Sequence, residues 1–326
     1  MLDLVALSEE QFQALWRDRI EPLLKDSEGP RIAALAERNR RLMIGLPIAG
    51  AVGVAASLFT AEIVPAFIFG GMAAIVAWGV AEGPVQKVAR AAKAGALTTI
   101  AEAIGVTFSG TGRPSGVVDR FRSLGLLPSC DRENYDDWFH GDRKGCGFDL
   151  FEGHMERRHR TKNGETWSTV FRGQILRVSF PRAFSGTTIV QRDAGVFNGL
   201  AGLGNSLERV GFADPDFERK FEVRSTDQVE ARVLMHPVFV ERLLELEQQM
   251  RGGRLRCGFQ DGDLLIAIES KDRYEIGDMG KTLVDPARAR SIIDDLAAVL
   301  RVMDAVLTAE QATLLRHNQA RNGEGA

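Results

Sequence analysis

Residues 42–81 read LMIGLPIAGAVGVAASLFTAEIVPAFIFGGMAAIVAWGVA. These forty positions hold no lysine or arginine and a single acid, Glu62, near the middle. A helix rises about 1.5 Å per residue, so crossing a hydrocarbon layer of about 30 Å takes about twenty apolar residues. The stretch is therefore predicted to form two membrane spans, 42–61 and 63–81, joined by a very short turn. A charge at the centre of a span costs about 2.5–3.5 kcal/mol or more, which puts Glu62 at the turn. Pro65 then falls in the first turn of the second helix, where proline is tolerated. The competing reading is a hydrophobic hairpin inside a soluble core. Such helices normally keep one polar face, and here every face is apolar or small.

Small residues recur every four positions along both spans. Gly45, Ala49, Gly53 and Ser57 mark the first; Ala66, Gly70 and Ala74 mark the second. Such stripes let two helices approach closely in lipid and gain van der Waals contact. The flanks set the orientation. Arg31, Arg38, Arg40 and Arg41 precede the first span, Lys87, Arg90 and Lys93 follow the second, and the turn has no basic residue. Basic flanks stay on the cytoplasmic side, so residues 1–41 and 82–326 are both expected in the cytoplasm. The apolar run starts too late and is too long for a cleaved signal peptide.

The net charge is −3, so the chain lacks the broad basic footprint of a nucleic-acid binder. Cys130, Cys146 and Cys257 are scattered and odd in number, which implies neither a zinc site nor a disulfide framework. Free thiols fit a reducing cytoplasm. No metal or cofactor is expected.

Local patterns divide the rest. Ser8 with Gln11 forms a capping-box pattern, and Phe12, Leu15, Trp16, Ile20 and Leu23 follow helical spacing. Pro22 should bend or end this helix, and Gly29-Pro30 should break the chain before the first span. Residues 82–104 read as a helical stalk, and 105–310 as a cytoplasmic α+β domain of antiparallel sheet packed with two or three helices. The polar tail, 311–326, is expected to fray. Within the domain, 105–109 reads as a strand and Pro114 opens a short helix. Asn163-Gly164 signals a hairpin turn. Pairing outward from it sets Lys162 opposite Glu165 and puts Phe151, Met155, Val170, Leu176, Val178 and Phe180 on one face. A second hairpin turns at Asp261-Gly262, with Leu255, Cys257 and Phe259 sharing a face with Leu264, Ile266 and Ile268, as a half-buried pair. Asp227 caps one helix and Pro237 starts another, whose stripe is Phe239, Leu243, Leu246 and Met250 and whose end is Gly252-Gly253. Asp285-Pro286 starts the last helix, with a seam of Ile292, Leu296, Val299, Met303 and Val306.

Candidate chemistry is sparse. Glu152, His154 and Glu156 share a face in this register, and one histidine with two acids forms a weak metal or acid–base set. A solvated sheet face explains the same row. His159 and Asp149 face the other way. The glycine-rich loop 108–116 lies between a strand and a helix, but its spacing fits neither the dinucleotide fingerprint nor the P-loop. Arg157, Arg158, Arg160 and Lys162 crowd the tip of the first hairpin. Each basic residue near an anionic membrane surface adds about 1 kcal/mol of attraction, so the tip suits anionic lipid or an acidic partner.

Several stretches carry a family resemblance: VFRG at 170–173 running on to Phe180, FSGTT at 184–188, FERKFEV at 217–223, and STDQVEAR at 225–232, with supporting matches at 239–246 and 259–268. The chain resembles a bacterial membrane-protein family known as a domain of unknown function. The resemblance implies a short N-terminal helix, two adjacent spans and a cytoplasmic α+β domain, and it implies no catalytic residues. Val233 departs from it, since many relatives have an aromatic after the Ala-Arg pair.

The leading expectation is a membrane-tethered binding or scaffolding module without catalysis. Its partners are the lipid bilayer and a protein partner or a second copy of the chain, not nucleic acid. The alternatives are a membrane-bound hydrolase using Glu152, His154 and Glu156, and an inner-leaflet sensor of anionic lipid.

Overall fold

The structure is a computed structural model that describes residues 2–162, 164–180, 183–192, 207–212, 214–249, 253–275 and 277–323, with side chains through residue 307. It divides into two units. One comprises residues 8–100 and 275–291, the other residues 1–7, 101–274 and 292–326.

The first unit is helical. Helix α1 (Glu9–Leu15) opens on a complete capping box between Ser8 and Gln11. A π turn over Trp16–Ile20 follows and runs directly into α2 (Glu21–Thr60), so the helix does not end at Pro22, contrary to that part of the expectation. Phe12, Leu15, Trp16 and Ile20 are buried. Helix α3 (Val64–Ile104) returns, and its part up to residue 100 belongs to this unit. Gly29-Pro30 does not break the chain, contrary to expectation, because Pro30 lies inside α2. The next residue is anchored on both sides: the Arg31 guanidinium donates to Glu28 at 2.8 Å and to the Met279 carbonyl at 2.9 Å. The expected stalk, 82–104, is continuous with the second apolar helix. Both α2 and α3 are long and apolar enough to cross a membrane.

The second unit is built on a nine-stranded antiparallel sheet, so the fold is α+β. Its strands are β1 (Thr107–Thr111), β2 (Arg132–Arg143), β3 (Cys146–Thr161), β4 (Gly164–Ser179), β5 (Thr188–Arg192), β6 (Glu208–Val210), β7 (Phe221–Ser225), β8 (Leu255–Gln260) and β9 (Asp263–Glu269), in spatial order β1-β2-β3-β4-β9-β8-β5-β7-β6. Its helices are α4 (Val117–Ser123), α5 (Pro215–Lys220), α6 (Gln228–Leu234), α7 (Pro237–Gln249) and the part of α8 (Pro286–Gly323) from residue 292 onward. Helix α4 starts after Gly116, not at Pro114. Asp227 caps α6 by accepting from the Val229 and Glu230 amides. The seam Ile292, Leu296, Val299, Met303 and Val306 is buried. Met250 and Gly252 lie outside the described residues, and α8 is helical to Gly323, through most of the expected tail.

The β8–β9 hairpin pairs as expected, Leu255 with Ile268, Cys257 with Ile266 and Phe259 with Leu264. Its turn uses positive φ at Asp261 (52°) and Gly262 (84°). The pair is not half-buried, however: Leu265 and Ala267, on the other face, are also fully buried. Helix α4 covers that face through Val117, Val118 and Phe121. On the first face Phe239 of α7 meets Phe259 edge-on, with ring centroids 5.5 Å apart.

The first hairpin departs from the expected register. Arg160, not Lys162, stands opposite Glu165, and Asn163 lies outside the described residues. Farther in, Glu156 pairs with Thr169 but Met155 pairs with Phe171. Val170 is therefore an extra residue, a β-bulge. A one-residue slip exchanges the two faces of a strand. Phe171 and Ile175 consequently join Phe151 and Met155 in the core beneath α4. Leu176, Val178 and Phe180 lie on the opposite face, contrary to expectation, with Leu176 facing Ile266 and Val178 facing Leu264.

Candidate functional site

A polar cluster of the second unit spans β2, β3 and β4. Asp136 pairs with Glu152, and Glu152 with Gln174, so the three form a row on adjacent strands. A second bulge follows Asp136: Phe139 pairs with Leu150, so two β2 residues oppose one on β3. Asp137 lies in this bulge with φ of 51°. The bulge turns its carboxylate toward the row, and carboxylate oxygens of Asp136, Asp137 and Glu152 all lie within 4.8 Å of one another. Asp137 and Glu152 are buried and Asp136 is half-buried.

The surroundings are polar and closely bonded. Glu152 accepts from the Arg273 amide at 3.0 Å. Gln174 donates from Nε2 to the Tyr274 hydroxyl at 2.8 Å. The Arg273 guanidinium donates to the Gln249 carbonyl at 2.8 Å and to Asp295 at 3.1 Å. Burial, with the negative charges of Glu152, Asp295 and Asp137, pushes the Tyr274 hydroxyl well above its usual range, and Arg273 only partly opposes them. Tyr274 is thus a neutral hydrogen-bonding group here. Arg172 donates to Asp272 at 2.8 Å. That bond, helped by the charges of Glu152 and Asp136, raises its pKa against the opposing effect of burial. All-oxygen donors of this kind suit hard cations such as calcium, magnesium or manganese.

The sequence-derived candidates fall in several places. Glu152 belongs to this cluster. His154 is two residues along on the same face, but its Nε2 bonds the Thr169 hydroxyl at 3.0 Å. Glu156 accepts from Arg132 at 2.7 Å. The three therefore have three separate partners. Arg113 of the glycine-rich loop lies over the Tyr135 ring, 4.9 Å from its centroid. At the hairpin tip Arg157 donates to the Ser129 carbonyl at 2.9 Å, and Arg158 and Arg160 approach Glu165 at 3.4 and 3.3 Å. Lys162 is exposed. Nearby, Trp167 is 41% exposed, with the Arg132 guanidinium 4.5 Å from its ring centroid.

In the helical unit, the small residues meet. A methyl group added at Gly45 would stand 2.8 Å from the Ala77 Cβ, and one at Gly53 would stand 2.7 Å from the Ala66 carbonyl oxygen. Gly70 packs against Gly53 and the Ala49 carbonyl in the same way. The Ser57 hydroxyl donates to the Glu62 carbonyl across the turn at 2.8 Å.

Asp136 and Asp137 are not legible in the sequence, because 132–143 carries no aliphatic residue and does not read as a strand. The available signal was the Asp-Asp doublet beside Trp138-Phe139. A regular strand sends neighbouring residues to opposite faces, and a paired doublet needs a bulge.

No curated protein matches this chain. Among solved structures, the crystal structure of the mycobacterial trehalose monomycolate transport factor A, TtfA, is similar at 10% identity, covering 64% of this chain and 95% of that one with a TM-score of 0.34. Residues 169–307, from the outer part of β4 into α8, match the family described as "Protein of unknown function (DUF3137)".

Proposed function

We propose that this chain is a two-span protein of the bacterial cytoplasmic membrane, with residues 1–41 and 82–326 both on the cytoplasmic side. Its α+β domain, 105–310, serves as a binding or scaffolding module without catalysis of its own. One observation carries the reading: the apolar side chains of 42–81 cover each other very little. Phe59 is 93% exposed, Ile75 74% and Phe67 73%. Soluble proteins rarely leave so large a contiguous apolar surface to water, and lipid covers it. The small residues between α2 and α3 support close helix packing in that setting, and the basic flanks support the orientation. Ultracentrifugation without detergent tests residence, and a reporter fused after residue 326 tests topology. A chain that stays in the supernatant, or a reporter active only in the periplasm, removes the reading. The partner is a protein or a second copy of the chain, and crosslinking in intact membranes should trap one defined species.

A second reading is favoured by the β3–β4 arm, where Arg157, Arg158, Arg160 and Lys162 are exposed near a partly exposed Trp167. Basic residues with an interfacial tryptophan suit an anionic membrane surface. Vesicle binding that ignores both salt and anionic lipid content would exclude it.

A further inference from the structure

We propose that Asp136, Asp137 and Glu152, with the side-chain oxygen of Gln174, bind a hard divalent cation. The proposal concerns the sheet domain and stands whether or not the helices lie in a membrane.

Three features carry it. The first is distance. Calcium takes six to eight oxygens at about 2.3–2.6 Å, so ligands on opposite sides of one ion stand about 5 Å apart. The three carboxylates place oxygens within 4.8 Å of one another, which fits one coordination sphere.

The second is Gln174. It stands directly across from Glu152 and is only 1% exposed. Its Nε2 is committed to Tyr274, while its Oε1 is buried and accepts no hydrogen bond. A buried carbonyl oxygen without a donor is costly, and a carbonyl oxygen is a normal ligand for calcium or magnesium. This oxygen belongs to the same row of side chains as Asp136 and Glu152.

The third is charge. Carboxylates this close, out of water, repel one another. A dication supplies charge of the favourable sign at the centre of the cluster. No histidine or cysteine is among the four donors, which selects calcium, magnesium or manganese over zinc or copper.

The full-length protein in detergent, stripped with chelator, is dialysed against calcium, magnesium or manganese alone, and bound metal is measured by mass spectrometry alongside Tm. The wild type should retain about one ion per chain and unfold at a higher temperature with metal than with chelator. Asp137→Asn and Glu152→Gln should each weaken retention by more than the roughly tenfold that loss of a supporting neighbour brings. Asp136→Asn, at the half-exposed edge, keeps the test valid if the buried variants do not fold. A wild type that retains no ion at millimolar concentration, or whose retention survives all three substitutions, overturns the proposal.

Discussion

Arg143, the last residue of β2, grips Asp304 of α8 with two hydrogen bonds of 2.7 Å, one from Nε and one from Nη2. The same guanidinium reaches Asp3 at 3.1 Å. One side chain thus joins the N-terminal segment, a strand end and the last helix of the sheet domain. Both partners are mostly out of water: 14% of the Arg143 side chain is exposed and 16% of Asp304.

Arg143→Ala should therefore destabilise the domain measurably. Hydrogen bonds to charged groups contribute about 1.5–3 kcal/mol, and Lys144, 3.0 Å from Asp304, remains to hold the carboxylate. We expect a lower Tm and a loss of about 2–3 kcal/mol in urea unfolding. An unchanged midpoint would show the clamp to be energetically idle.

The helix pair should be intolerant of bulk at Gly53. Any Cβ there meets the Ala66 carbonyl oxygen, so Gly53→Leu must push α2 and α3 apart. Overpacking costs about 1–3 kcal/mol. Reduced accumulation in the membrane fraction and a lower Tm in detergent are expected, whereas the same change at Gly50, whose Cβ would meet nothing within 4 Å, should be nearly silent.

Gly173 should be irreplaceable. Its φ is 155°, and a Cβ there would collide with the Ile268 carbonyl oxygen on β9. Strain of this kind costs about 1–3 kcal/mol before the collision is counted. Gly173→Ala should shift the denaturant midpoint strongly, and faster hydrogen exchange should appear first across the β4–β9 ladder.

His236 should give the domain an acid-sensitive step. Burial pushes its pKa below the usual 6.5, and the nearby Ala305 backbone opposes this only in part. The unfolded chain therefore binds the proton more readily. Stability is complete above about pH 6.5 and falls as the pH drops from there toward the lower folded value. Nδ1 also accepts from the Phe239 amide at 3.4 Å, at the start of α7. His236→Asn retains a capping acceptor and removes the titration. The difference in stability between wild type and variant should change sharply over that window; a flat difference would refute the assignment.

Much of this architecture is legible in the residues. The apolar stretch, the Ser8 and Asp227 caps, the Asp261-Gly262 turn and the α8 seam all follow from periodicity and capping chemistry, which act locally. What escaped reading is non-local. Pro30 stays helical, and Arg31 beside it donates to the Met279 carbonyl, far away in sequence. The face of β4 exchanges because Val170 is inserted opposite no residue, and a single extra residue has no signature in an alternating pattern. The Asp136, Asp137 and Glu152 cluster depends on a second such insertion and on the pairing of β2 with β3, and neither is visible until the strands are assembled.

The insertion at Val170 has an evolutionary consequence. Inward of it, residues 171–178 of β4 are mostly buried; outward, residues 164–169 are mostly exposed. The two ends of one strand are thus insulated from each other. Selection can rewrite the charge and aromatic content of the outer end, and with it whatever surface that end meets, while the folding of the domain stays intact.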